Sequence, residues 1–166
     1  MPGKRCLPTP AEVAARSKQF GNHPRPRPVR FDDLNLVVKF GPLVRVEEAI
    51  CLRMIGAALS GKVPVPEVYG WRVDGRYVFI YMELVQGETL HDRWDSLSNG
   101  DRTVICNQLP EIISPLRDVA QEPTNRFIGS ITGQSCNDHI FKDMPQGGPF
   151  NTTKEFSDWF ASLPQH

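Results

Sequence analysis

The sequence predicts an α+β fold in which a small antiparallel sheet and one packed helix are followed by a partly helical region. Three observations support it. Leu34–Phe40 is apolar and β-branched, as a buried strand requires. Val46–Ile55 has apolar residues at helical spacing. Asp74-Gly75 is a hairpin signal that leads into Tyr77–Met82. A length of 166 residues fits one domain-sized unit.

The composition argues against several classes of partner. Lys and Arg total 19 and Asp and Glu total 19, so no net field attracts nucleic acid or an anionic membrane. The four cysteines are scattered and form no Cys-x-x-Cys pair, so neither a metal site nor a disulfide framework is expected. No signal peptide or spanning segment is evident, which predicts a cytoplasmic protein.

Residues 1–28 are predicted to form an N-terminal helix and a proline-rich linker. Thr9-Pro-Ala-Glu12 has the pattern of a capping box with proline at the first helical position, so a helix is expected from there to about Phe20. His23–Pro28 alternates prolines with arginines, which favours an extended chain. A plain linker is the preferred interpretation, and a proline-rich docking peptide is the alternative.

Residues 29–87 are predicted to form the sheet and its packed helix. The strand Leu34–Phe40 should end at Gly41-Pro42, and the helix Val46–Ile55 should follow it. Val63–Gly70 is an extended connection that feeds the first strand of the hairpin. The two hairpin strands should be antiparallel neighbours.

Residues 88–166 are predicted to be a partial helical lobe. A short segment at Thr89–Leu97 precedes a helix whose apolar face is interrupted by two prolines, which should kink or weaken it. That face consists of Ile105, Leu109, Ile112, Leu116 and Val119, and the prolines are Pro110 and Pro115. The tail is rich in Gly, Pro, Asn and Asp, with one further helix expected at Lys154–Ala161.

Lys39 is the first candidate for chemistry because it lies within an otherwise apolar strand. A buried ammonium group is costly unless an anion pairs with it. Glu47 and Glu48 begin the next helix, and a carboxylate there could hold the ammonium group towards the phosphates of a nucleotide. The alternative is a lysine at a sheet edge that reaches solvent, with both glutamates serving the helix N-terminus.

The second candidate is the segment Met82-Glu-Leu-Val85, where a strand gives way to a linker before Gly87. Unpaired backbone N–H and C=O groups in such a linker could bind the edge of an adenine ring. The alternative is a buried strand that simply runs into a glycine turn.

The order of these segments resembles that of the aminoglycoside phosphotransferase (choline kinase-like) family, in particular its fungal-type branch. The resemblance covers about residues 31–160. The similar segments are Leu36–Gly41, Glu47–Ala49, Val63–Trp71, Phe79–Gly87, Asp101-Arg102, Phe127–Ser130, Gly148–Phe150 and Asp158–Phe160. It implies a protein kinase-like N-lobe, a truncated helical C-lobe, and ATP as the cofactor.

The resemblance also implies a role for each residue of the cleft. Lys39 would contact the phosphates and Glu48 would be its partner on the helix, preferred to Glu47 because the family pattern is Glu-Ala. Met82 would flank the adenine pocket. The backbones of Glu83 and Val85 would contact adenine.

One departure from the family limits the expected activity. The catalytic loop of the family has the form His-x-Asp-x-x-x-x-Asn and is followed by an Asp that holds magnesium. No histidine of this sequence has Asp two residues later, so it supplies no catalytic residue and no Mg²⁺ site. We therefore expect a chain that has no phosphotransferase activity by itself, either a clipped enzyme or a short paralogue.

Two alternatives remain at this point. One is a pseudokinase-like module that binds a nucleotide or a protein, with partner contacts or self-association through an exposed helical lobe. Its contact residues would be Trp94, Phe156, Trp159 and Phe160. The other is a fragment without function. The small-molecule acceptor of the family reaction is not assigned by this sequence.

Overall fold

The computed structural model describes residues 6–136, 139–141 and 144–164. The chain divides into two compact units, of which the first ends at Asp118 and the second begins at Val119. This is a division by packing. The division after Gly87, which separates a nucleotide-binding lobe from a helical lobe, stays a prediction.

The first unit contains a small antiparallel sheet and several helices, so the α+β class is confirmed. Four strands of the described chain form the sheet in the order β1, β2, β4, β3. Their bounds are Val29–Phe31 for β1, Leu36–Gly41 for β2, Val68–Asp74 for β3 and Tyr77–Glu83 for β4. The sequence analysis did not predict β1 as a separate strand, and three residues are too few to show an alternating pattern.

Two tight connections set the strand pairing. Gly75, at φ 55°, turns the chain between β3 and β4, and Asp74 pairs with Tyr77, so the predicted hairpin is confirmed. A 3₁₀ turn at Asp32–Leu34 and then Asn35, at φ 47°, connect β1 to β2. Asparagine is among the few non-glycine residues that adopt this left-handed conformation readily.

One face of the sheet forms the larger hydrophobic core. Alternate residues of β2 and β4 point into it, as the two-residue period of a strand requires. Its buried members are Val13, Val29, Phe31, Leu36, Val38, Phe40, Phe79 and Tyr81. Phe20, Phe40, Tyr77 and Phe79 extend it as a run of ring contacts with centroids 4.8–6.3 Å apart.

Helix α1, Pro10–Arg16, covers this core with Val13. The predicted capping box is present: the Glu12 N–H donates to Thr9 Oγ1 at 3.3 Å, and the Thr9 N–H donates to Glu12 Oε2 at 2.6 Å. The predicted end near Phe20 is wrong. The helix ends at Arg16 because Ser17 is extended, and its N–H bonds back to the carbonyls of Val13 and Ala14.

The opposite face of the sheet packs against helix α2, Val46–Ala58, which extends three residues beyond its predicted end. Ala49, Val68 and Ile80 are the buried centre of this second core. Arg53 holds the helix to β3, because its Nε donates to the Val68 carbonyl at 3.1 Å and its guanidinium lies over the Trp71 ring.

The remaining helices of the first unit are α3, Leu90–Arg93, and α4, Asn99–Arg117. Thr89 caps α3 and a 3₁₀ turn follows at Trp94–Ser96. Helix α4 runs through Pro110 and Pro115 without a break, and the kink or weakening expected there stays a prediction. Each proline still lacks the N–H that would bond four residues back, so the helix loses two backbone hydrogen bonds.

The second unit is held by an antiparallel bridge and an aromatic cluster. The N–H of Ile128 donates to the Phe150 carbonyl at 2.8 Å, and that of Phe150 donates to the Ile128 carbonyl at 2.9 Å. Helix α5, Thr153–Ala161, adds three rings to the cluster. The rings in mutual contact are Phe141, Phe150, Phe156, Trp159 and Phe160.

This packing differs from the exposed aromatic edge predicted for α5. Phe156 and Trp159 are half-buried within their own unit, whereas Phe160 remains 51% exposed. Gly147 shows how closely the cluster is packed, because a Cβ at this position would overlap the Trp159 ring. Only glycine fits there.

No helix of the described chain has the length and apolar character needed to cross a bilayer.

Tyr81 provides a test of the first core. Its side chain is fully buried, and its hydroxyl has no hydrogen-bond partner among the described residues. A buried hydroxyl without a partner costs about 1–3 kcal/mol. Tyr81→Phe should therefore leave the free energy of unfolding in urea at neutral pH unchanged or raise it, as should the half-buried control Tyr77→Phe. A loss above about 1 kcal/mol in Tyr81→Phe alone would show that the hydroxyl is bonded.

The same variant should change the alkaline behaviour. Burial raises the pKa of Tyr81, and the Arg72 guanidinium over its ring opposes the rise only partly. The unfolded chain then ionises first, so stability is complete below about pH 10 and falls as the pH rises through the folded pKa. Tyr81→Phe should lose less stability than the wild type over that range, and equal losses would contradict the burial effect.

Candidate functional site

Lys39 lies on the α2 face of the sheet, opposite the larger core. Its strand, β2, is an inner strand between β1 and β4, so it is not the edge lysine of the alternative interpretation. Lys39 pairs across the sheet with Ile80, and Val37 pairs with Met82. Because alternate residues share a face, Lys39, Met82 and Val37 all lie on this side of the sheet.

The predicted ion pair between Lys39 and Glu48 is present. The Lys39 ammonium nitrogen lies 2.5 Å from Glu48 Oε1. The two side chains are 43% and 35% exposed, so the expectation of a buried lysine is wrong. The ammonium group reaches solvent above the sheet, and burial therefore does not force the pairing. It follows from the placement of the helix.

Ala49 explains how the carboxylate reaches the strand. This residue is fully buried against the sheet and has a side chain of one carbon, so the first turn of α2 can approach the strands closely. Glu48 is its neighbour in that turn. The choice of Glu48 over Glu47 as the partner of Lys39 is thus confirmed.

The linker after β4 is fixed from both sides by backbone hydrogen bonds. The Glu83 N–H donates to the Glu67 carbonyl at 2.8 Å, and the next N–H, that of Leu84, donates to the Asn35 carbonyl at 3.1 Å. Gln86 Nε2 then donates to Asn35 Oδ1 at 3.2 Å. Val85 lies between these attachments and is 66% exposed.

Val85 is the open position of this linker. The N–H of Val85 donates to no residue in the described part of the chain. Leu84, by contrast, is buried and only 6% exposed. The segment therefore has a buried side chain at Leu84, followed at Val85 by a backbone N–H without a partner in the described part of the chain.

Sequence reasoning missed Asn35 and Glu67 as parts of the site. Both hold the linker through their backbone carbonyls, and Asn35 also does so through its side-chain Oδ1. A backbone carbonyl leaves no trace in the identity of a side chain. A partial signal existed for Asn35, because Asn tolerates the left-handed conformation that ends a turn before a strand. The sequence has no comparable signal at Glu67.

The described residues contain no group of three or more His, Cys, Asp or Glu side chains arranged to hold a metal ion. The binding of ATP and the absence of a Mg²⁺ site both remain predictions. The candidate site thus consists of one cation, its carboxylate partner, the Met82 side chain and the backbone of the linker at Glu83 and Val85.

Comparison with known proteins gives one match. The chain is 32% identical over 117 residues to "Altered inheritance of mitochondria protein 9, mitochondrial" of Komagataella phaffii (strain GS115 / ATCC 20864). The match covers 66% of this chain and 19% of that protein, so the chain matches about a fifth of its relative. No family model matches the chain, and no solved structure matches it.

The Lys39–Glu48 pair should contribute little to folding. Partly exposed ion pairs contribute about 0.2–1 kcal/mol, because solvent screens the attraction and two long side chains lose rotamer freedom. A double-mutant cycle with Lys39→Met and Glu48→Gln, measured by urea unfolding, should give a coupling energy in that range.

The Lys154–Asp158 pair of α5 is the matched control, since it has the same 2.5 Å separation but is 82% and 65% exposed. It should give a coupling energy at the lower end of the range, and salt should reduce both values. A coupling above about 3 kcal/mol for Lys39–Glu48 is the magnitude of a buried pair and would contradict the exposed geometry.

Proposed function

We propose that residues 29–87 of the first unit form an ATP-binding lobe of the kinase-like type, in a protein related to the aminoglycoside phosphotransferases. The observation that carries this proposal is the Lys39–Glu48 ion pair on an inner strand, next to the strand that leads into an anchored linker. In kinases a strand lysine paired with a helix glutamate positions the phosphates of ATP.

The sheet order brings the two halves of the site together. Lys39 is on β2 and the linker follows β4, and these strands are neighbours. Met82 is two residues beyond the partner of Lys39, which is roughly 7 Å along the strand. A ligand lying on this face can therefore touch the ammonium group at one end and the linker at the other.

The linker supplies the groups that would bind adenine. The N–H of Leu84 points to Asn35. In an extended linker neighbouring residues alternate, so the backbone groups of Glu83 and Val85 would point away from Asn35. The Glu83 carbonyl would accept from the exocyclic amine of adenine and the Val85 N–H would donate to a ring nitrogen. Met82, half-buried on the α2 face, would bound the ring.

The proposal covers binding and does not extend to turnover by this chain. Phosphoryl transfer depends on a residue that orients the acceptor and on a carboxylate that holds the metal. The sequence has no His-x-Asp-x-x-x-x-Asn pattern, so neither role has a candidate here. The acceptor is left unassigned. A cytoplasmic location remains part of the proposal, although the name of the Komagataella phaffii relative describes a mitochondrial protein.

We expect the chain to bind a non-hydrolysable ATP analogue in calorimetric titration, and Lys39→Met to weaken that binding by roughly tenfold or more. The size follows from the loss of a charge-assisted contact with phosphate. Glu48→Gln should weaken it less, because the cation remains. Lys62→Met removes an exposed lysine elsewhere in the first unit and should have no effect.

The same wild-type preparation should release no ADP above background when given ATP and Mg²⁺. Equal affinity in Lys39→Met and Lys62→Met would reject the site. Turnover that is lost in Lys39→Met would show instead that this chain carries catalytic groups that we have not identified.

A second candidate function, a protein-interaction module, is favoured by the exposure of α4. None of its residues is fully buried. Leu109 and Ile113 lie one turn apart and are 44% and 41% exposed, which places two large apolar side chains side by side in solvent. Such neighbours are a usual component of association surfaces.

We expect the chain to self-associate through these two residues. Light scattering at increasing concentration should show a rising mass for the wild type and a constant monomer mass for Leu109→Glu/Ile113→Glu. Val104→Glu is the matched control, because Val104 is 55% exposed on another side of the same helix. A wild type that stays monomeric and melts cooperatively would remove this candidate.

A further inference from the structure

A second polar site lies where the end of α1 and the proline-rich linker meet β1, the edge strand. It is an open groove of about 570 Å³. Its lining is made of two short runs of sequence, Arg16, Ser17, Lys18 and Gln19 from the end of α1, and Arg27, Pro28, Val29 and Arg30 from the linker and β1.

The groove is strongly basic although the chain as a whole is balanced. Between Glu12 and Asp32 the sequence has five basic residues and no acidic one, against totals of 19 and 19 for the chain. Four of the eight lining residues are cationic. Among the described residues only one of these four, Arg30, forms an ion pair with a carboxylate, that of Asp32 at 2.9 Å.

The inference therefore rests on the other three cations, Arg16, Lys18 and Arg27. Arg16 is held in place because its guanidinium lies 4.2 Å from the centre of the Phe31 ring. Lys18 and Arg27 are exposed. Arg16 also interacts electrostatically with the Glu12 carboxylate, whereas Lys18 and Arg27 form no ion pair among the described residues. Like charges that line one cavity repel one another, and an anion between them relieves that repulsion.

The backbone around these cations is fixed. The Arg27 N–H donates to Gln19 Oε1 at 2.7 Å, which ties the linker to the turn after α1. Pro26 is buried against Gly41, where an added Cβ would lie 3.1 Å from the Pro26 ring. Because prolines also restrict the linker, the backbone part of the cost of ordering Arg27 for a ligand is already met on folding.

A purely structural explanation accounts for part of the charge. Cations near the C-terminus of a helix stabilise it, and Arg16 and Lys18 lie at the end of α1. Arg27 belongs to the linker and is not explained in this way. Its placement beside the same groove is what indicates a ligand.

We propose that this groove binds a compact group that carries two or more phosphates. Several cations around one cavity suit clustered negative charge, and arginine pairs with phosphate through parallel N–H bonds. The lining contains no aromatic ring on which a base could stack, which disfavours single-stranded nucleic acid. The chemistry is shared by soluble polyphosphates and by phosphorylated lipid headgroups.

The first test is calorimetric titration of the full chain with inorganic tripolyphosphate. Lys18→Gln/Arg27→Gln should bind it roughly tenfold more weakly or worse, because two charge-assisted contacts are lost. Lys62→Gln/Arg117→Gln makes the same change in net charge at exposed positions outside the groove and should bind as the wild type does. Lys39→Met should also bind normally, which separates this groove from the proposed ATP site.

Equal weakening in the two double variants would overturn the proposal, since only net charge would then matter. So would an absence of binding by the wild type, or a loss of binding in Lys39→Met alone. Circular dichroism melting of each variant checks folding, and Lys18→Arg/Arg27→Lys, which keeps both charges, should retain most of the affinity.

The second test distinguishes the two sources of phosphate. Phosphatidylcholine vesicles with and without phosphatidylinositol 4,5-bisphosphate are floated with the full chain. Capture only by the phosphorylated vesicles, reversed by tripolyphosphate and lost in Lys18→Gln/Arg27→Gln, supports a lipid headgroup in the groove. Tripolyphosphate binding without vesicle capture supports a soluble ligand. Capture that is unaffected by the double variant would contradict the groove as the phosphate site.

Discussion

The antiparallel pairing of β2 with β4 is the constraint on which the rest of the structure depends. It sets Lys39 opposite Ile80 and Val37 opposite Met82. A slip of one residue would turn every side chain of β2 to the other face and direct the Lys39 ammonium into the hydrophobic core. The register is specified because the other face is filled by rings, among them those of Phe40 and Phe79, and burying a large side chain contributes about 1.5–3 kcal/mol.

The two faces of this sheet consequently differ in burial and in the groups that they carry. One is a closed core under α1, and the other carries α2 and a half-exposed strip with an ion pair. The ion pair contributes little to the free energy of folding, and the hydrophobic core can supply the stability that the fold needs. Chemistry on the α2 face can therefore change without loss of the fold, which makes Lys39 and Glu48 suitable for substitution. The basic groove lies at the edge of the same sheet and is built by other residues.

Local features were predictable from sequence and long-range ones largely were not. The Asp74-Gly75 hairpin and the Thr9 capping box depend on neighbours within a few residues, and both were predicted. The Lys39–Glu48 pair spans nine residues. It was predicted because an ammonium group in an apolar strand was expected to need an anion nearby. The end of α1, the exposure of Lys39 and the attachments at Asn35 and Glu67 depend on what packs against them, and a pattern of residues does not contain that information. Helix α4 continues through both of its prolines, so these residues alone do not mark where it ends.

The central claim is that the Lys39 ammonium and the linker backbone bind the two ends of one nucleotide. Amide chemical shifts of the full chain, followed during titration with a non-hydrolysable ATP analogue, test it most directly. The account predicts saturable shifts at the Val85 N–H and in the first turn of α2 near Glu48, and the loss of both in Lys39→Met. Shifts confined to Lys18 and Arg27, with Val85 unmoved, would place the nucleotide phosphates in the basic groove and contradict the account.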